Sequence, residues 1–197
     1  MPKIGAEAVR RKAMIEAAIV EIGEAGSLDV TVSQIARRAG MSPALAHHYF
    51  GSKDQMFLAA MRHILKLYGD SVRQRMRGLR TPVERLHAII DASFAPDQFQ
   101  PEVVASWLTF YVRALQSEEA SRLLHVYARR LHSNLLFNLR QVFDAPTAQS
   151  VAQGMAALID GFYIRHALQD FAPAQSEVRA LVMDYLELYL TRNAIHD

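Results

Sequence analysis

Apolar residues recur at three- and four-residue steps along almost the whole chain, with no sustained stretch of strict apolar–polar alternation between them. This periodicity predicts an all-α fold of about nine helices. The first runs from about Ala6 to Ala25, with Ile15, Ala18, Ile19 and Ile22 on one face and Gly26 as its C′ residue. Two short helices follow within residues 31–50. Thr31 and Gln34 have the spacing of a reciprocal N-terminal cap, and Ile35, Ala36 and Ala39 give the helix they start a small apolar face. Gly40 supplies a tight turn, and Ser42 with Pro43 starts the next helix as N-cap and first residue, expected to run to about His48. A long fourth helix, Lys53 to about Arg77, carries Met56, Phe57, Ala60, Met61, Ile64 and Tyr68 on one stripe. Thr81 and the prolines at 82, 101, 146 and 173 cut the remainder into segments near 82–94, 101–117, 118–143, 147–170 and 174–193. The sixth and eighth are apolar around much of their circumference, which predicts a place at the centre of the C-terminal bundle or in a subunit interface.

Two helices joined by a three- to four-residue turn make a helix-turn-helix. The expected organisation is a three-helix DNA-binding head over residues 1–52 and a larger helical domain over 53–197, to which the family resemblance described below assigns ligand sensing and dimerisation, with the fourth helix connecting them as a lever. Charge sharpens this division. Residues 1–12 carry Lys3, Arg10, Arg11 and Lys12 against Glu7, whereas 13–29 hold Glu16, Glu21, Glu24 and Asp29 and no base. Residues 30–53 hold Arg37, Arg38 and Lys53 and no acid, and from 54 onward the signs balance at fifteen each. The surplus cations therefore lie on the arm and the helix-turn-helix, where phosphate contacts would be made.

Composition excludes several classes. With 197 residues and 51% apolar content the chain is expected to be compact and ordered. No apolar run approaches the ~18 residues of a membrane span and no secretory segment opens the chain, so a cytoplasmic protein is expected. The absence of cysteine removes disulfides and thiolate metal sites. There is no nucleophile elbow, glycine-rich phosphate loop or His-Glu metal motif, so neither an enzyme nor a metal or cofactor protein is expected. His47 and His48 are adjacent on a helix and point in different directions, a poor start for a metal site.

The recognition helix is short, so only a few side chains reach base edges in the major groove. Ala44 and Leu45 suit thymine methyls, and His47 or His48 suits a purine edge. Thr31, Ser33 and Ser42, with Pro43 opening the helix, are candidate phosphate contacts through hydroxyls or helix N-terminal amides, and Arg10 and Arg11 could steady an arm in the adjacent groove. Arg37 and Arg38 read equally well as ordinary surface residues. In the larger domain, Trp107, Phe110 and Tyr111 fall on one helix at three- to four-residue steps, and Asp160, Phe162 and Tyr163 on another. Aromatic faces with a carboxylate bind a quaternary ammonium without needing a hydrogen bond from it. Core packing explains the same stripe, and Arg113, Arg129, Arg130 and Arg165 are alternative partners for Asp160.

The short head followed by Tyr49, Phe50, Gly51, Ser52 and Lys53 and a larger helical domain resembles the TetR family of one-component bacterial repressors. Met1 to Gly5 with Arg10 and Arg11, Ser106 to Phe110, Arg129 to Leu135 and Ala156 to Gly161 look like its BetI-type branch, the choline-responsive repressors of glycine betaine synthesis. The resemblance implies phosphate contacts for Tyr49 and Lys53, a palindromic DNA operator, and a homodimer relieved by a small ligand, choline being the inducer expected. Pro43, Ala44, Ala46 and His47 need not match that branch, so the operator could differ. Helices eight and nine are the expected interface, through Gly154, Ala156, Ala157 and Gly161 and the stripe Val178, Leu181, Val182, Tyr185 and Tyr189. The rival reading is a repressor of efflux or lipid-metabolism genes that senses a hydrophobic ligand.

Overall fold

The computed structural model describes residues 6–169, 171 and 173–194, with backbone alone for 193 and 194. Met1 to Gly5, part of the resemblance above, lie outside them. Among the described residues there are nine helices: α1 Ala6–Ala25, α2 Val32–Arg38, α3 Pro43–Phe50, α4 Lys53–Arg75, α5 Pro82–Ser93, α6 Pro101–Ala114, α7 Glu118–Leu139, α8 Ala145–Leu168 and α9 Gln175–Ala194. The all-α expectation holds.

Local chemistry sets most of the starts. Gln34 N–H donates to the Thr31 hydroxyl at 3.2 Å while the Thr31 N–H donates to Gln34 Oε1 at 2.7 Å, and Thr81 with Glu84 repeats this box at α5. The boundaries that differ do so for identifiable reasons. α3 runs to Phe50 rather than stopping at His48, because the chain leaves the helix only at Gly51, with φ 72°; Tyr49 is thus part of the recognition helix. α8 begins at Ala145, ahead of the expected 147, because Asp144 accepts from Thr147 N–H at 2.8 Å and Pro146 is tolerated in a first turn. α4 and α7 stop short of 77 and 143, where Arg77 N–H bonds to Gln74 O, and Gln141 and Val142 N–H to Asn138 and Leu139 O, in tight i+3 turns.

Packing divides the chain into two compact units. One takes the residues up to Lys66 together with Gln100–Ser121, the other Leu67–Phe99 together with the residues from Arg122 on, so α4 contributes to both. The first unit buries Met14, Ala18 and Ile22 of α1, Ile35 and Ala36 of α2, Ala46 and Phe50 of α3, and Phe57, Met61 and Ile64 of α4. The buried face of α1 is thus rotated from the expected one, since Ile15 and Ile19 are only half-buried. α6 packs against α1 here and not in the C-terminal bundle. The reason is Gly23: a Cβ there would lie 2.4 Å from the Cα of Glu102, so the two helices cross backbone to backbone. The second unit is built around Leu86, Ile89, Ile90 and Phe94, with Leu131 and Leu135 of α7, Met155 and Ile159 of α8, and Val182 and Leu186 of α9.

Candidate nucleic-acid interface and ligand site

In the first unit, α3 buries Ala46 and Phe50 and leaves Pro43, Ala44, His47 and His48 exposed, with Leu45 and Tyr49 half-buried. Ala44, His47 and His48 stand at i, i+3 and i+4, one face of a helix. That face is free to enter a groove. Ser42 caps it, accepting from Leu45 N–H at 3.3 Å, and His47 Nδ1 lies 3.1 Å from Gly51 O. Thr31 is exposed but committed to its capping box, while Ser33 is exposed on the first turn of α2.

The basic residues divide. Arg10 and Arg37 are exposed. Arg38 instead bonds Glu21 at 2.6 Å and Glu24 at 2.5 Å on α1, and the hydrogen bond to Glu21 raises its pKa further above the usual guanidinium value. Lys53 donates to Leu28 O at 2.5 Å, turning its ammonium back along the head from the first residue of α4. Arg11 donates to Tyr49 O at 2.8 Å, with its guanidinium 4.6 Å from the centre of the Phe50 ring. Contacts invisible in the sequence join the start of α4 to α6 and α7: Asp54 with Arg113 at 2.6 Å, and Gln55 and Arg62 with Glu119 at 2.8 and 2.7 Å.

The candidate ligand residues fall into two groups. Trp107, Phe110 and Tyr111 belong to the first unit, where Trp107 lies 5.9 Å from each of the other two rings. Phe110 is wholly buried, 6.2 Å from Phe57 edge to face, which makes it a packing residue of that core. Asp160, Phe162 and Tyr163 belong to the second unit. Tyr163 is buried against Phe94 and Phe99 and donates to Ser93 O at 2.5 Å; Phe162 meets the Phe94 ring at 6.4 Å. The Tyr68 hydroxyl lies 3.2 Å from Ser93 Oγ, and its ring meets Tyr127 at 6.0 Å. Burial pushes the Tyr68 phenol up to about 12 and raises Tyr163 as well, and the Asp160 carboxylate adds to both. At neutral pH these phenols are therefore uncharged. Tyr68 and Tyr127 were not candidates from the sequence; Tyr68 reads there as one more member of the α4 core stripe.

The residues named for close approach between subunits also divide. A Cβ at Gly154 would strike Tyr185 of the same chain, and Val178 and Val182 are buried within it. Gly161 has open space around it, and Ile164, Leu168, Leu181 and Leu188 are exposed. Among the described residues no group of three or more His, Cys, Asp or Glu is placed to hold a metal ion, and no helix is long and apolar enough to cross a membrane.

Residues 82–191 match the family model described as BetI-type transcriptional repressor, C-terminal, and residues 14–60 match that of bacterial regulatory proteins of the tetR family. The chain is a BetI-type repressor of the TetR family. It is 54% identical over 190 residues to the HTH-type transcriptional regulator BetI of Brucella anthropi, covering 96% of this chain and 98% of that one. The protein of the same name from Rhizobium meliloti is 52% identical, over 98% and 95%. Among solved structures, a transcriptional regulator from Saccharomonospora viridis in complex with choline superposes with a TM-score of 0.82 at 23% identity, over 91% of this chain and 96% of that one. A TetR regulator from Haloarcula marismortui gives 0.81 at 21% identity, over 92% and 98%. This BetI-type chain is accordingly a non-enzymatic DNA-binding regulator.

Proposed function

We propose that this repressor binds a palindromic operator as a cytoplasmic homodimer, is released by choline, and controls genes of glycine betaine synthesis. The observation that carries the ligand assignment is the meeting of the Tyr68 and Tyr127 rings at 6.0 Å, with the Asp160 carboxylate exerting its charge on the Tyr68 phenol. A carboxylate offsets the cation, and aromatic faces each contribute about 0.5–2 kcal/mol to holding a methylated ammonium. The choline complex of the Saccharomonospora viridis regulator supports the same ligand. Trp107 and Tyr111 belong to the first unit and stand outside this cluster, while Phe162 and Tyr163 serve the aromatic packing around Phe94.

The dimer uses α8 and α9. Ala157, Gly161, Ile164 and Leu168 stand at i, i+4, i+7 and i+11 on the accessible side of α8, and Leu181 and Leu188 seven apart on α9. A two-fold axis would set the heads about 34–36 Å apart, the spacing of successive major grooves. DNA reading falls to Ala44, Leu45, His47, His48 and Tyr49, with Arg10, Ser33 and the N-terminus of α3 toward phosphate.

Choline titrated into a preformed complex with a duplex chosen by the native protein from a random pool should release the DNA, and Asp160→Asn should abolish the release while leaving DNA affinity intact. Allosteric couplings of about 1–3 kcal/mol correspond to a 5- to 150-fold weakening. Unchanged dissociation at saturating choline refutes choline as inducer, and release by uncharged hydrophobes instead favours the rival ligand class.

A further inference from the structure

We propose that Arg11 is a positioning residue for the recognition helix rather than a phosphate contact, and that it sets operator specificity by holding the C-terminal end of α3. This rests on the reading that the head binds DNA. α3 has eight residues, too few to be a stable helix by itself, so its direction depends on what fixes its two ends. Ser42 fixes the first. At the other end the last carbonyls of a helix have no donor within it, and Tyr49 O is taken by the Arg11 guanidinium at 2.8 Å. A cation there also meets the negative end of the helix dipole.

The same guanidinium lies over the Phe50 ring, 4.6 Å from its centre. One planar group thus bonds to a backbone oxygen and covers the neighbouring aromatic, a pairing that suits arginine and that the compact ammonium of lysine reproduces poorly. Tyr49 and Phe50 bracket the end of the helix whose outer face carries His47 and His48. A rotation or lift of α3 at this end would move both imidazoles relative to base edges, whereas Arg10, one residue earlier, is exposed and among the described residues makes no bond to the head. Adjacent arginines in one basic arm therefore have separate tasks.

The salt dependence of binding separates the two roles. A residue that neutralises a phosphate contributes about 0.9 to the slope of log K against log salt on any duplex; a residue that aims the helix contributes nothing to the slope and acts on the cognate site alone. The test measures native protein, Arg11→Met, Arg11→Lys and Arg10→Met by fluorescence anisotropy, on a duplex selected by the native protein and on one of scrambled sequence, across a salt series. Arg11→Met and Arg11→Lys are both expected to lose about three- to tenfold on the selected duplex, with slope and scrambled-duplex affinity unchanged. Arg10→Met should instead lower the slope on both.

A fall of about 0.9 in slope for Arg11→Met, or native affinity for Arg11→Lys, overturns the proposal, as does the absence of any effect from either. Arg11 is exposed, and equal melting temperatures for native protein and variants show that the loss is not unfolding. If the native chain selects no duplex from the pool, it is the DNA-binding reading that fails.

Discussion

Replacing glycine by alanine inside a helix ordinarily stabilises it, and two glycines of this chain should respond to that substitution with opposite signs. At Gly69 in α4 the new methyl would meet only the Arg73 guanidinium, at 3.5 Å. At Gly23 it would lie 2.4, 2.5 and 2.7 Å from Cα, Cβ and O of Glu102, where carbon atoms pack at about 3.5–4.0 Å, so α6 must back away from α1 by about 1 Å. A clash with backbone at this distance falls in the upper part of the range for overpacking, about 2–3 kcal/mol, and the gain in helix propensity returns about 1. The net is a loss of about 1–2 kcal/mol for Gly23→Ala and a gain of about 0.5–1 for Gly69→Ala. For a chain of this length, at about 2–4 °C per kcal/mol, the melting temperature should fall by roughly 2–8 °C in the first and rise by roughly 1–4 °C in the second. Far-UV circular dichroism melts at one fixed protein concentration measure both. A Gly23→Ala protein that melts with or above the native one would refute the backbone-to-backbone crossing, and with it the reason α6 belongs with the head.

Tyr163→Phe leaves Ser93 O without its buried donor and should cost about 1–3 kcal/mol in urea unfolding, with no change in secondary structure at rest. Leu181→Glu combined with Leu188→Glu should convert a dimer into monomers in sedimentation velocity; an unaltered dimer would move the interface off α9. His63 has its pKa lowered mainly by burial, so the unfolded chain takes its proton first as pH falls. The stability tied to the neutral ring is present above about 6.5 and is lost as pH drops from there through the lower folded value. Melting temperatures of the native protein should therefore decline across this window more than those of His63→Gln, and parallel curves would dismiss the effect.

What could be read from the chain beforehand was whatever neighbours in sequence decide. Thr31, Ser42 and Thr81 fall where the caps are, because each acts on a residue three positions away. The bounds of α1 are equally local, set by apolar periodicity and Gly26. Placement of α6 was not legible, since a helix apolar on most sides suits any interior and the partner that claims it is selected by a missing side chain at Gly23. Arg11, Arg38 and Lys53 show the same limit. A basic residue in a basic segment reads alike whether it faces phosphate, a carboxylate on the preceding helix, or a carbonyl many residues distant. In the second unit, nothing local distinguishes Tyr68 from its neighbours on the α4 stripe. Only tertiary packing sets it beside Ser93 and within the field of Asp160.

The engagement of Arg38 with Glu21 and Glu24 bears on how such a protein finds its target. A guanidinium already held by two carboxylates adds little to the hold on random sequence, which is electrostatic and grows with every unneutralised cation. Dwell times on genomic DNA shorten accordingly, and discrimination rests more heavily on the few side chains that read bases. The acid pair on α1 thus trades grip for speed of search.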